Sequence, residues 1–444
     1  MTQKKTQIIS RVKELFIENV HNTKDLSILI DKYLIPQELE QKTNAEVSTP
    51  YKLRQEMLDK IPEEFWTQGI TLETGSPYLS KIFEPCAGKG GFVLDIIDKF
   101  MTGLAEDIPY KELRYKTIVE ECLYFCDINP TNIFICKLLI DPNNIYNLNY
   151  HVGNILELNI QEKWGIDGFD AVIGNPPYQE TDTNNKSKGG TNLYTKFINY
   201  SFENILEQGY LLYITPISWL GPSTNKQTGS NLLHNIFMRY DLIYLNLNEC
   251  KKHFSVGSTF SYYLIQKTIT PNLQTRVVSE YNKQTTLDNI NFKELIDMKF
   301  LPTHINKDTI ELVGKITNNS NKLHIERVRQ LDTSANTKKH LSTKENDIFK
   351  YITYHTSTKT YYSDIKLDIY DKTKILLNMS GYLKPTVVNN CNITESKFYI
   401  LPSNSDECDK IIKLLNSTEV IEYLKLCKYS GFNSRPVLES ISFN

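Results

Sequence analysis

The run Asp167-Gly-Phe-Asp-Ala-Val-Ile-Gly-Asn-Pro-Pro-Tyr-Gln-Glu180 holds residues whose types and spacing suit chemistry on a planar amine. Asn175 supplies a side-chain amide. Pro176 and Pro177 leave carbonyls with no competing N–H beside them, and Tyr178 adds an aromatic face. Acceptors of this kind take the protons of an exocyclic amine while the ring is stacked. The prolines fix φ and donate no backbone hydrogen bond, so an apolar strand over Phe169 to Ile173 must stop there. In an open α/β sheet, a rigid turn at the carboxyl end of a strand is where ligands bind.

Three more strand ends carry polar groups. Lys81-Ile-Phe-Glu-Pro-Cys-Ala-Gly-Lys-Gly-Gly-Phe92 reads as a strand, a small-residue turn and an amphipathic helix from Val93 to Phe100. Small residues let backbone approach a ligand at a helix N-terminus, and Glu84 at the strand tip suits an ammonium group. The spacing is not that of a dinucleotide fingerprint, so no pyrophosphate is implied. Glu121-Cys-Leu-Tyr-Phe-Cys-Asp127 repeats the pattern, with a helix from about Thr131 to Leu139 behind it. An acid there suits ribose hydroxyls, although capping the following helix favours the same residue type. Tyr150-His-Val-Gly-Asn154 suggests a third strand ending at Asn154. Four strand–loop–helix units with polar carboxyl ends define a doubly wound sheet with one cleft. Strands at Gly209–Pro216, at Asp241–Leu247 and after Phe254 bring the sheet to seven.

The elements that position these residues follow from periodicity. Residues 1 to about 45 read as helices: Ile8, Ile9, Val12, Leu15 and Phe16 recur at helical spacing, followed by Leu26 to Leu34 and a break at Pro36. A further helix starts at Ser48-Thr-Pro-Tyr, where Ser48 or Thr49 can cap and Pro50 is pre-set for the first turn. Thr181 to Gly190 is polar and reads as a loop beside the cleft. After Pro271 the periodicity weakens, with polar loops at Asn318–Asn321 and Asp332–Lys344. Apolar segments at Lys374–Met379 and Phe398–Leu401, and a helix from Asp409 to Cys427, still indicate a folded domain. The expected division is an N-terminal helical segment (1–45), a catalytic domain (46–270) and a C-terminal domain (271–444).

Composition narrows the class. Hydrophobic content of 40% and charged content of 23% are ordinary for a globular protein. No apolar run approaches a membrane span, no signal peptide is read at the N-terminus, and a cytoplasmic location is expected. Of eight cysteines only Cys122 and Cys126 lie close together, with no second pair or adjacent histidine, so reduced thiols are expected and no metal site. From Pro271 onward there are 24 Lys and Arg against 20 Asp and Glu, whereas the rest holds 26 against 32. The C-terminal part is thus the more basic, the direction a polyanion partner favours.

These motifs, in this order, resemble the γ-class (TaqI-type) N6-adenine DNA methyltransferases of restriction-modification systems. The likeness covers about residues 48 to 267, and the remainder by arrangement. It implies a Rossmann-like seven-stranded α/β methyltransferase sheet followed by an α+β target-recognition domain. Ser48-Thr49-Pro50 is similar to motif X, and the resemblance implies that Thr49 and Pro50, like Asn175, contact the donor. Glu84-Pro-Cys86-Ala87-Gly88 is similar to motif I, which holds the methionine part of S-adenosylmethionine. Asp127 and Ile128 stand where motif II binds the ribose, and Asn154 stands where motif III usually offers Asp to the donor's adenine. Asn175-Pro176-Pro177-Tyr178 is motif IV, Asn192-Leu-Tyr fits motif V and Gly209–Pro216 fits motif VI. Phe254 aligns with the motif VIII aromatic that stacks on a flipped base.

The resemblance implies double-stranded DNA as partner, S-adenosyl-L-methionine as cofactor, and room for a separate cognate restriction endonuclease. Base-reading residues lie on loops without a transferable code, Tyr382, Lys384 and Arg435 being candidates. Three other readings use the same turn or chain: an N4-cytosine methyltransferase, a protein-glutamine methyltransferase, and a catalytically silent DNA-binding subunit. The long C-terminal part tells against the second, and intact Asp127, Asn175 and Tyr178 against the third.

Overall fold

The computed structural model describes residues 22–33, 48–70, 76–181, 187–222, 232–254, 259–269, 274–333 and 336–443. The apolar positions Ile8 to Phe16 and the break at Pro36 lie outside them. The chain divides into two compact units, Met1–Pro216 with Gln227–Ile296, and Ile217–Lys226 with Asp297–Asn444.

In chain order the strands of the first unit's central sheet are β1 (Ile82–Glu84), β2 (Leu123–Asp127), β3 (Asn149–Val152), β4 (Phe169–Gly174) and β5 (Ile205–Pro216). There follow β6 (Asp241–Leu247), β7 (Phe260–Gln266), β8 (Thr275–Tyr281) and β9 (Gln284–Ile290). Across the sheet they lie β9-β8-β6-β7-β5-β4-β1-β2-β3. The block β3-β2-β1-β4-β5 is parallel, and β7 runs antiparallel between β5 and β6. All residues of β1 and β2 are buried, the near-continuous apolar pattern of parallel strands covered on both faces. Helices α1 (Thr23–Tyr33), α2 (Tyr51–Leu58), α3 (Gly91–Gly103), α4 (Pro130–Ile140) and α5 (Leu193–Asn204) belong to this unit. The chain leaves β1 toward β2 on one side, while β4 pairs with β1 on the other, so the strand order reverses between Glu84 and Asn175. That reversal opens a crevice at their carboxyl ends.

Two sequence expectations change in this unit. Where seven strands are expected, the sheet has nine among the described residues, continuing past residue 270 through β8 and β9. These two join through Asn282-Lys283, both left-handed (φ 51° and 66°), a two-residue turn whose twist matches a hairpin. Most of β9 is exposed, so it shows no apolar run to read. Within the polar stretch after Tyr178, Gln179–Thr181 and Ser187–Asn192 pair as a hairpin rather than a loop. Such a pairing needs no apolar alternation in the sequence. Among the described residues no helix is long and apolar enough to cross a membrane.

Among the described residues the second unit holds two four-stranded sheets. Its strands are β10 (Glu326–Arg327), β11 (Leu341–Ser342), β12 (Tyr351–Tyr354), β13 (Thr360–Ser363), β14 (Lys374–Asn378), β15 (Thr386–Val388), β16 (Asn392–Ile393) and β17 (Lys397–Ile400). The sheet orders are β10-β17-β14-β15 and β11-β13-β12-β16. The expected loop Asp332–Lys344 thus contains β11, paired with β13. The helices are α6 (Lys307–Thr317), α7 (Ser405–Leu415), α8 (Thr418–Leu426) and α9 (Arg435–Glu439). The expected single helix from Asp409 to Cys427 is two, because Ser417 caps α8 by accepting from Val420 N–H at 3.3 Å. Ile375, Leu377, Phe398, Leu415 and Tyr423 form the core beneath them.

Candidate active site

Behind β1 the turn is pinned by backbone bonds. Ala87 N–H donates to Cys126 C=O at 2.9 Å, and Gly90 N–H to Ala87 C=O at 2.8 Å. Gly88 and Gly90 take left-handed φ values of 53° and 88°, open to glycine without cost. Asp127 at the end of β2 stitches this turn to its own loop. Its Oδ2 accepts from Gly88 N–H and its Oδ1 from Asn129 N–H, both at 2.8 Å. Burial raises the Asp127 carboxyl, and the two N–H donors oppose that rise. The capping role weighed for Asp127 belongs to Asn129, which accepts from Thr131 N–H at 3.0 Å.

Glu84 is 2% exposed, and its Oε2 has no hydrogen-bond partner among the described residues. Burial pushes its carboxyl well above the ordinary range, with Arg54 pulling it down and Asp127 pushing it up. A buried acid with an unpartnered oxygen, beside a small-residue turn, is a ready site for a cation. Cys86 is half-buried, with its thiol pushed up by burial. Ile128 is 64% exposed at the end of β2 and offers an apolar face there. Asn154 accepts from Leu156 N–H at 3.2 Å and donates to Glu157 Oε1 at 2.7 Å, so its amide caps the short Ile155–Glu157 turn.

After β4, the buried Pro176 and half-buried Pro177 end the strand, and Asn175 is caught between two side chains. Its Nδ2 donates to Thr49 Oγ1 at 3.2 Å, and its Oδ1 accepts from the Tyr178 hydroxyl at 2.8 Å. Leu193 N–H at the start of α5 donates to Tyr178 C=O at 3.0 Å and anchors the far side of the turn. Tyr178 and Phe254 both pack on Phe260, with ring centroids 5.6 and 5.2 Å apart and tilts of 43° and 38°. The expected aromatic pair therefore stands in a row of three, with buried Phe260 in the middle.

Helix α2 organises both walls. Thr49 is buried, and its hydroxyl serves Asn175 rather than capping the helix; Pro50 is the N-cap residue, with no side-chain cap. Tyr51 N–H is instead satisfied by Asp31. Arg54, 2% exposed, donates to Thr49 C=O, to Asp95 at 2.5 Å, to Asp31 at 2.8 Å and to Ser27 Oγ at 2.7 Å. A Cβ at Gly91 would come within 2.8 Å of the Arg54 guanidinium, so this glycine makes room for the arginine. Two residues after Arg54, Glu56 accepts from the Tyr262 hydroxyl at 2.6 Å and lies 3.7 Å from His253 Nε2, next to Phe254.

Arg54, Glu56 and Phe260 are missing from the residues expected by sequence. A lone arginine on a helix reads as solvated, and its carboxylate partners lie on other elements. Phe260 alone carried a signal, as the first apolar residue of a recognised strand. In the second unit, Tyr382 is 80% exposed and Lys384 is exposed, on the loop between β14 and β15. Arg435 is exposed at the start of α9, paired with Glu439 at 2.8 Å.

Residues 121–248, which include Asp127 and the Asn175 turn, match the family model of the Eco57I restriction-modification methylase. No curated protein matches the chain in sequence. Among solved structures, the Type IIL restriction-modification enzyme MmeI in complex with DNA is similar in fold. It is 10% identical with a TM-score of 0.55, over 98% of this chain and 66% of MmeI. A nuclease-deletion mutant of the Type ISP restriction-modification enzyme LlaGI, in complex with a DNA substrate mimic, is 12% identical with a TM-score of 0.54, over 93% of this chain and 57% of its own. The DrdV–DNA complex is 13% identical with a TM-score of 0.50, over 85% of this chain; the present chain spans 51% of that protein's length.

Proposed function

We propose that this protein is an S-adenosylmethionine-dependent DNA methyltransferase of restriction-modification type, transferring a methyl group to N6 of an adenine extruded from the duplex. The observation that carries this reading is the Asn175 amide, held at the end of β4 next to the unpartnered acid Glu84 at the end of β1. The match of residues 121–248 to a restriction-modification methylase family supports the same class.

The residues present fit the donor. Glu84 would meet the ammonium of its methionine part, the Cys86-Ala87-Gly88 turn would let it lie close to backbone, and Asp127, Ile128 and Asn154 would line its nucleoside part. When bound, the donor supplies an electrophilic methyl on a sulfonium. The protein's part is to present the amine. A stacked base cannot be reached, so the adenine leaves the duplex and rests on Tyr178 and Phe254. Asn175 Oδ1 and the Pro176 carbonyl accept the two amine protons. That draws the nitrogen lone pair out of conjugation with the ring, and the work is orientation plus fixed dipoles. The amine nitrogen would gain the methyl carbon as its bond to sulfur breaks, leaving the donor as a neutral thioether, and would give up one proton to water. Tyr382, Lys384 and Arg435 in the second unit are candidates for contacting the DNA.

Purified protein incubated with tritium-labelled donor and unmethylated genomic DNA tests this. Label is expected in N6-methyladenine after digestion to nucleosides. Label in N4-methylcytosine would turn the reading to cytosine, label in protein to a glutamine methyltransferase, and no transfer would refute it.

A further inference from the structure

We propose that Thr49 is a positioning residue for the Asn175 amide, deciding which end of that amide faces the target amine. This rests on the methyltransferase reading above, and on a requirement the turn alone does not meet. The two ends of a primary amide have nearly the same shape, and the terminal torsion that exchanges them is soft. Only the oxygen end can accept an amine's protons. The nitrogen end, turned toward the amine, would set donor against donor and leave the lone pair in the ring.

Two partners agree on one orientation. Thr49 Oγ1 receives the Nδ2 donor at 3.2 Å, and the Tyr178 hydroxyl donates to Oδ1 at 2.8 Å. They are not equivalent. The Tyr178 hydroxyl occupies an acceptor position on the oxygen that the amine itself needs, so it stands in for substrate and must share or yield when a base arrives. The Thr49 bond lies at the opposite end of the amide and persists through the reaction.

Thr49 is well fixed for this task. It is 5% exposed, and its carbonyl is held by Arg54, whose guanidinium is anchored on Asp95, Asp31 and Ser27. The anchoring explains why a hydroxyl residue at a helix start leaves the capping to others. Thr49→Val keeps the shape and removes the acceptor, leaving a half-buried amide N–H without that partner. A lost partner of this kind costs enough to lower kcat by roughly 10- to 100-fold.

The test compares Thr49→Val, Thr49→Ala and Thr49→Ser with the wild type. It measures methyl transfer to unmethylated genomic DNA at saturating donor, donor Kd by calorimetry, and the thermal midpoint. Val and Ala should both lose kcat by that factor while donor Kd stays within about threefold, and Ser, which restores the hydroxyl, should recover most of the rate. The alanine variant, which adds no atoms, reports if the valine variant folds poorly. Unchanged kcat in Val and Ala overturns the assignment, as does a loss confined to donor Kd, which would make Thr49 a donor ligand. Failure of Ser to recover the rate also overturns it. A wild type that labels no DNA overturns the methyltransferase reading, and this assignment with it.

Discussion

Glu84 and Asn175 end neighbouring strands, and the protein treats them oppositely. Asn175 is tied at both ends of its amide, by Thr49 and Tyr178, before any substrate arrives. Glu84 is buried with an oxygen left without a partner. The amide side is pre-organised by neutral hydrogen bonds, while the acid side is left short of a charge that a ligand can bring. Orientation is needed where a neutral amine must be aimed. An unpartnered buried acid is useful where a cation must be recruited, since the gain on binding includes relief of that acid.

Asn175→Ala strikes the aimed side hardest. Methyl transfer should fall roughly 10²- to 10³-fold or more, as when a positioned group at a developing charge is removed. Calorimetric donor affinity should stay nearly unchanged; a parallel loss of donor binding would merge the two sides into one. Glu84→Gln does the reverse and should weaken donor binding roughly 10- to 100-fold through loss of a charge-assisted contact.

The same acid makes a pH statement. With its carboxyl raised by burial, Glu84 contributes stability below its unfolded-chain pKa, and that contribution is lost as pH rises through the folded value. A cation bound beside it lowers that value, so donor binding should release a proton in the window between the two. Calorimetry in buffers of different ionisation heat measures the release, which should vanish in Glu84→Gln.

Gly91→Ala probes the scaffold both sides share. Its Cβ would meet the Arg54 guanidinium at 2.8 Å, and unfolding by urea should show a loss of about 1–3 kcal/mol. Stability equal to wild type would mean that Arg54 can move aside at no cost. The smallest effect is expected from Phe254→Leu, which keeps apolar bulk and removes a ring face. A drop in kcat/KM of about three- to tenfold is expected, the scale of an aromatic contact beyond its area. No change would leave Tyr178 as the sole platform.

What could be read from sequence was local. The prolines at 176 and 177 must stop a strand, an amide and an aromatic beside them suit an amine, and buried parallel strands give unbroken apolar runs. What could not be read depends on distant partners. Thr49 is as good a cap as it is a partner for an amide, and its use is settled by Asn175, distant in sequence. Arg54 is buried only because Asp31, Asp95 and Ser27 converge on it. The strands β8 and β9 escaped because their turn is Asn-Lys rather than a glycine pair and β9 faces solvent. Asn154 proved to be a local cap as well as a strand end, which the residue type alone left open.

The Arg54 anchorage bears on how this fold can be recombined. The guanidinium spans α1, α2 and α3, whereas the recognisable motifs lie on only some of these elements. A chimera that grafts the Thr49 segment from a relative inherits the motif but not its footing. Residues 27, 31, 54, 91 and 95 therefore form one heritable module, and exchanges that cut through it should yield chains complete in every motif yet unable to aim an amine.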